Sequence, residues 1–165
     1  MKRGAKKTNV ERILQMAAIP YTTYEFDGKN GQLHAGEIAR SLGFPPSRVF
    51  KTLVTENVHH VNAVFVIPAN AVLDLKKAAR AAHEKQLAML PLAQLFPLTG
   101  YHHGGCSPIG MRKHFPTFID VSAQTQPTIC LSGGQIGLMV ETDPLALARL
   151  IPAVFSDLCQ SGTTL

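Results

Sequence analysis

The sequence predicts an α+β fold: a curved, mixed or mainly antiparallel sheet flanked by helices, in one domain spanning about residues 8–158. Three observations predict it. Runs rich in β-branched residues mix with short helical patterns without the regular alternation of βαβ units. No internal repeat is visible. Hydrophobic residues make up 45% of 165 residues and charged residues 16%, enough to bury a core and inconsistent with disorder or a coiled coil. Residues 1–7, basic through Lys2, Arg3, Lys6 and Lys7, are expected as an N-terminal tail, and residues 159–165 as a C-terminal one.

The elements follow in order. Thr8 and Glu11 form a capping box, and Val10, Ile13, Leu14 and Ala17 recur at helical spacing until Pro20 stops the pattern. Tyr21 to Phe26 reads as a strand, Asp27 to Gln32 as a loop, and about Ala35 to Leu42 as a short helix with Gly43 closing it. Val49–Thr55 and Val61–Ile67 are strands of a neighbouring pair. Asp74 caps a helix through about Ala82, and Pro91 opens another ending near Phe96. Thr117–Val121, Thr128–Ser132 and Ile136–Glu141 are strands, the last two joined through Gly133-Gly134. Asp143-Pro144 starts a helix carrying Leu145, Leu147, Leu150 and Ile151, and Val154–Leu158 is strand or tail.

Sixteen Lys and Arg against eleven Asp and Glu leave a charge of +5, which favours an anionic partner such as nucleic acid. Trp is absent and Phe and Tyr are few, so no ladder of aromatics for single-stranded bases is evident. The three cysteines are widely spaced with no C-x-x-C, which argues against a disulfide framework or zinc knuckle. No apolar run reaches the ~18 residues of a membrane helix, and the basic start leads into no signal core. A cytoplasmic protein without a membrane partner is the expectation.

Two local features invite chemistry. In Val49-Phe50-Lys51-Thr52-Leu53-Val54, strand alternation puts Lys51 in the same row as Val49 and Leu53. Such a lysine either protects a sheet edge from aggregation or projects into a cleft as a point charge for a phosphate or a carbonyl oxygen. The segment Gly104-Gly105-Cys106-Ser107-Pro108-Ile109-Gly110 either makes a tight connection or brings backbone N–H groups up to an oxyanion. It fits no nucleotide-phosphate motif, and Ser107 lacks the G-x-S-x-G elbow. His102, His103, Cys106 and His114 lack the spacing of a metal site, so no metal is expected. Lys76, Lys77, Arg80 and Lys85 make either a solvated helix face or a phosphate-binding one.

Taken in order, Phe50-Lys51-Thr52-Leu53, Leu73-Asp74-Leu75-Lys76-Lys77-Ala78-Ala79, Thr99-Gly100-Tyr101, the Gly104–Gly110 loop and Ser132-Gly133-Gly134 resemble the YbaK/EbsC trans-acting aminoacyl-tRNA deacylases. These are the Cys-tRNA(Pro) deacylases related to the editing domain of bacterial prolyl-tRNA synthetases. The similarity runs from about Val10 to Leu158.

The resemblance implies an enzyme without metal or cofactor that removes cysteine from mischarged tRNA(Pro), with Cys-tRNA(Cys) a further substrate and prolyl-tRNA synthetase a partner. Lys51 falls on the family's essential lysine, which engages the 3′-terminal adenosine and ester region. Gly104 and Gly105 fall on the loop whose amides hold the scissile carbonyl. Tyr24, Thr52, Tyr101, Ser107, Pro108 and Ser132 fall near the same pocket, as does His34, where relatives often carry Phe. Lys76, Lys77 and Arg80 are the expected tRNA contacts. An activated ester needs little more than positioning and oxyanion stabilisation, and in the cysteine branch the substrate thiol is the nucleophile, so the reaction is classed as a lyase or a hydrolase. The competing readings are a non-catalytic module binding tRNA or prolyl-tRNA synthetase, and a deacylase for another small amino acid, as on Ala-tRNA(Pro).

Overall fold

The computed structural model describes residues 6–27 and 35–161. His34, most of the expected Asp27–Gln32 loop and the outer parts of both tails lie outside the described residues. In chain order the elements are α1 (Asn9–Met16), β1 (Tyr21–Glu25), α2 (Ala35–Leu42), β2 (Phe50–Glu56), β3 (Asn62–Pro68), α3 (Leu75–Ala81), β4 (Ala88–Met89), α4 (Leu95–Thr99), β5 (Thr117–Asp120), β6 (Ile129–Ser132), β7 (Leu138–Thr142), α5 (Pro144–Leu150) and β8 (Ala153–Ser156).

The class is α+β, with helices on strands that pair mostly antiparallel but include two parallel contacts. The expected single sheet is in fact two. One is three-stranded and antiparallel, in the order β1-β7-β6, and the other five-stranded and mixed, in the order β4-β2-β3-β5-β8. A single parallel bridge, Val49 to Cys130, joins them. Past it β2 leaves β6 and pairs with β3, and β4 meets β2 only at Thr55 and Glu56. The edge of β2 around Lys51 to Leu53 is thereby left open to a cleft. Local sequence patterns identify strands but carry no signal for this divergence.

Three helices, α1, α3 and α5, start where their caps dictate. The Thr8 hydroxyl accepts from the Glu11 amide at 3.2 Å, the Glu11 carboxylate accepts from the Thr8 amide at 2.9 Å, and the hydroxyl also donates to the Gly133 carbonyl at 2.7 Å. That last bond ties the entry of α1 to the β6–β7 connection. The Asp74 side chain accepts from Lys76 and Lys77 amides at 2.9 and 3.2 Å, and Asp143 accepts from the Leu145 amide at 2.9 Å with Pro144 in the first turn. The α4 helix ends at Gly100, whose φ of +84° is the left-handed cap that glycine adopts without penalty.

The core fills both sides of β3. On one side Val66 joins Val10, Leu14, Phe50, Ile119, Leu131, Val140 and Leu147; on the other Phe65 and Ile67 meet Phe118, Leu158 and the alanines of α3. Phe65 and Phe118 stack with centroids 5.3 Å apart. With Leu14 wholly buried, truncating it to alanine costs about 2–5 kcal/mol.

Two strand boundaries differ from expectation. β7 begins at Leu138 because residues 133–137 form a longer loop, with Gly134 at φ +95° and Gly137 at φ +89°. A two-residue turn would have set Ser132 opposite Gln135; Ser132 faces Met139 instead. The C-terminal segment resolves into β8, parallel to β5, and the chain past it stays attached. Asp120 accepts from the Leu158 amide at 3.0 Å, and Cys159, expected in a tail, bridges to Leu73.

Candidate active site

A cavity of about 780 Å3 opens where β2 parts from β6, within the range of small-molecule sites. Its floor is Val49 and the start of β2 through Leu53. Phe26, Ile38, Ile136, Met139 and Leu95 supply much of its apolar lining, and Asn70, His103, Cys106 and Ser132 add polar groups. Of the expected residues, Lys51, Thr52, Gly104 and Ser132 line it.

Lys51 is half-buried there, opposite Ile67 on β3. Burial lowers its ammonium pKa below a lysine's usual value, with Cys159 pulling slightly the other way. Among the described residues its ammonium meets no carboxylate and makes no hydrogen bond. Lys51 lies on the stretch of β2 that β4 does not cover, and its side chain lines the cavity, so the cleft reading describes its position better than protection of an outer sheet edge. Beside it the Thr52 hydroxyl is buried without a hydrogen-bond partner, an orphan that a ligand in the cavity would satisfy.

The glycine-rich loop forms the opposite wall, and its two glycines do different things. Gly104, at φ +90°, lines the cavity, and its amide makes no hydrogen bond among the described residues. Gly105 does not line it: its amide donates to the His102 carbonyl at 2.9 Å, closing a turn. A Cβ on Gly105 would lie 2.9 Å from the Ile136 backbone nitrogen, so the loop packs directly on the β6–β7 connection. Gly104 thus lines the cavity with an unpaired amide, and Gly105 supplies the close approach.

Other expected residues stand behind the wall. Tyr101 is buried, donates its hydroxyl to the Ile109 carbonyl at 2.5 Å and has its pKa pushed up to about 12 by burial, so it fastens the two ends of the loop. The Ser107 hydroxyl accepts from the Ile109 amide at 3.1 Å and is wholly buried, and Pro108 lines a separate small cavity. Tyr24 sits across from Met139, in edge contact with Phe44 at 5.2 Å, and donates to Glu141 at 2.8 Å; that bond raises its pKa. The Ser132 hydroxyl accepts from the Gly134 amide at 3.1 Å, holding the turn while it lines the cavity.

Cys106 lines the cavity, but burial pushes its thiol up to about 12, so at neutral pH it is protonated and a poor nucleophile. Lys76 and Arg80 are exposed on α3 and Lys77 pairs with Asp157 at 3.0 Å; none of the three reaches the cavity. Among the described residues no three His, Cys, Asp or Glu side chains gather as metal ligands.

Asn70 and Met139 were missed by sequence reasoning. Met139 is opposite both Tyr24 and Ser132, two residues that the sequence had picked out, so the correct β6–β7 register would have pointed to it. Asn70 follows β3 with no distinguishing pattern.

A free cation, an unpaired hydroxyl and a free backbone amide around an apolar chamber suit a neutral, polar, already reactive ligand such as an ester. The chain matches the aminoacyl-tRNA editing domain over residues 31–150 and belongs to that family. It is 42% identical over 157 residues to EbsC of Enterococcus faecalis, a proposed Cys-tRNA(Pro)/Cys-tRNA(Cys) deacylase, with 95% of this chain and 96% of that one covered. Its fold is shared with a proposed trans-editing enzyme for prolyl-tRNA synthetase, at TM-score 0.81 and 22% identity, over 94% of this chain and all of that one. A scaffold protein used for epitope grafting is also similar, with TM-score 0.81, 24% identity, and 92% and 95% of the two chains covered.

Proposed function

We propose that this protein deacylates Cys-tRNA(Pro), and Cys-tRNA(Cys) as a second substrate, by letting the substrate thiol attack its own ester. The observation that carries the reading is the unpaired Lys51 ammonium in a cavity whose lining thiol, Cys106, is held neutral. EbsC, nearly half identical along almost the whole chain, supports the substrate.

In this reading the 3′-terminal aminoacyl-adenosine enters the cavity. Lys51 stands by the ester and the ribose oxygen that leaves, where a positive charge lowers the cost of developing negative charge. The Gly104 amide donates to the ester carbonyl oxygen, and the Thr52 hydroxyl finds its missing partner on the substrate. The cysteine sulfur forms a bond to the carbonyl carbon, the ester C–O bond breaks, and the thiol proton ends on the freed ribose hydroxyl. Products are intact tRNA and a cyclic thiolactone, with no protein nucleophile and no oxidant. Holding the thiol over its own carbonyl in a confined, mostly apolar chamber is the main contribution of the enzyme.

Residues 8–158 constitute the editing domain in this reading. It acts in the cytoplasm, where prolyl-tRNA synthetase releases the mischarged product, and that synthetase is the expected partner. The test is deacylation of Cys-tRNA(Pro) beside Ala-tRNA(Pro) and tRNA carrying S-methylcysteine. Cleavage of the first alone is expected; equal cleavage of all three would overturn the thiol mechanism.

A further inference from the structure

Beside the cavity mouth, the mechanism leaves a ring stack unused. Phe96 is 42% exposed, and the His102 imidazole lies on its ring with centroids 4.2 Å apart and planes within 8°. The Arg112 guanidinium stands 5.2 Å from the Phe96 centroid. His102 and Arg112 are both exposed.

The three side chains come from α4, the turn leading into the glycine-rich loop and the chain beyond that loop, so the fold assembles them. The Arg112 amide donates to the Thr99 carbonyl at 3.1 Å, and its side chain crosses Gly100 so closely that a Cβ there would lie 3.2 Å from Nε. Leu95 and His103, next in chain to Phe96 and His102, line the cavity itself. The stack therefore continues the cavity rim onto the surface.

We propose that the Phe96–His102–Arg112 stack holds a base of the single-stranded 3′ end of tRNA, in the nucleotides just before the terminal adenosine. The proposal rests on the function proposed above, because a strand whose last nucleotide occupies the cavity must leave across its rim. A planar imidazole backed by an aromatic ring offers its outer face to any base, and base–aromatic stacking is tolerant of sequence. The guanidinium adds charge complementarity to the phosphates on either side. An exposed phenylalanine held in register with two cationic or polar planes otherwise gains little from its position on the surface.

The test uses an acceptor-stem RNA hairpin ending in single-stranded CCA, with 2-aminopurine replacing the penultimate cytidine. Binding to the protein should quench the probe, and Phe96→Ala and His102→Ala should each remove the quench while melting within a few degrees of the parent. Arg112→Lys should keep the salt dependence of binding and weaken the quench. With cysteinylated substrates, both alanine variants should lower the ratio of kcat/KM for the hairpin over that for cysteinyl-adenosine about tenfold, the size expected for one stacked base. A quench that survives both variants, or an unchanged ratio, would overturn the proposal. Quenching without cleavage of either substrate by the parent protein would keep the stack and sink the deacylase reading instead.

Discussion

Gly105 approaches Ile136 so closely that a single added methyl group would lie 2.9 Å from the Ile136 backbone nitrogen. The two glycine-rich segments of the chain thus meet back to back, and the wall of the cavity is their joint product. Gly105→Ala has no flexible side-chain end to push aside, since the obstructing atoms are backbone. Overpacking of this kind costs about 1–3 kcal/mol, and the strain should displace Gly104 and Cys106 on the cavity side. We expect a lower Tm together with a fall in kcat/KM for Cys-tRNA(Pro). Loss of activity with an unchanged Tm would assign Gly105 a direct contact with substrate instead.

Lys51 spends stability for function. Its pKa is lowered in the folded protein, so at neutral pH the folded state carries a charge that it disfavours relative to the unfolded chain. The penalty is fully present below the folded pKa and disappears as pH rises toward 10.5. Lys51→Met keeps the stem and removes the charge, so it should melt at the same temperature or higher while deacylation falls by at least ~100-fold, the scale of losing one preorganised electrostatic contact. A destabilised but active variant would reverse the assignment.

How far the sequence spoke depended on the range of each interaction. Capping residues, the β-branched runs and the Asp143-Pro144 start are local, and the helices began where Thr8, Asp74 and Asp143 said they would. Lys51 was legible as an anomaly of pattern. The way the two sheets join and part was not, because their junction depends on Val49 meeting Cys130 some eighty residues away. Nor could the sequence divide the labour of Gly104 and Gly105, since adjacent glycines look alike until one amide closes a turn and the other is left unpaired in a residue that lines the cavity. Tyr101 and Ser107 belonged to the right loop, but they act by bracing it.

The basic side chains of α3 are not equivalent. Lys76 and Arg80 are free for phosphate, whereas the Lys77 ammonium is engaged by Asp157 and by the Cys159 carbonyl at 2.9 Å. Neutralising Lys76 and Arg80 together should lower the slope of log K against log salt for tRNA binding by about one to two units, and Lys77→Ala alone should change it less. A slope identical to the parent in the double variant would remove α3 from the tRNA footprint.

The final prediction concerns the thiols. Cys106, Cys130 and Cys159 are each pushed up to about 12 by burial, above the ordinary value of 9.0. Two consequences follow from the sign of that shift. At neutral pH Cys106 is a protonated thiol, so Cys106→Ala should retain most turnover of Cys-tRNA(Pro), and no cysteinyl adduct should form on it. Detection of such an adduct by mass spectrometry would return the nucleophile to the protein. Stability is affected in the opposite pH range: below 9.0 the thiols are neutral in both states, whereas between 9.0 and about 12 the unfolded chain ionises them and the folded protein resists. Stability must therefore fall as pH rises through that window, with Lys51 working in the other direction up to 10.5. Cys130→Ala removes one buried thiol from the apolar contact with Val49 and Met139 without adding bulk to the core. Its Tm should decline less steeply than the parent's between pH 9 and 10.5, and parallel declines would show that the Cys130 thiol ionises as readily in the folded protein as in the unfolded chain.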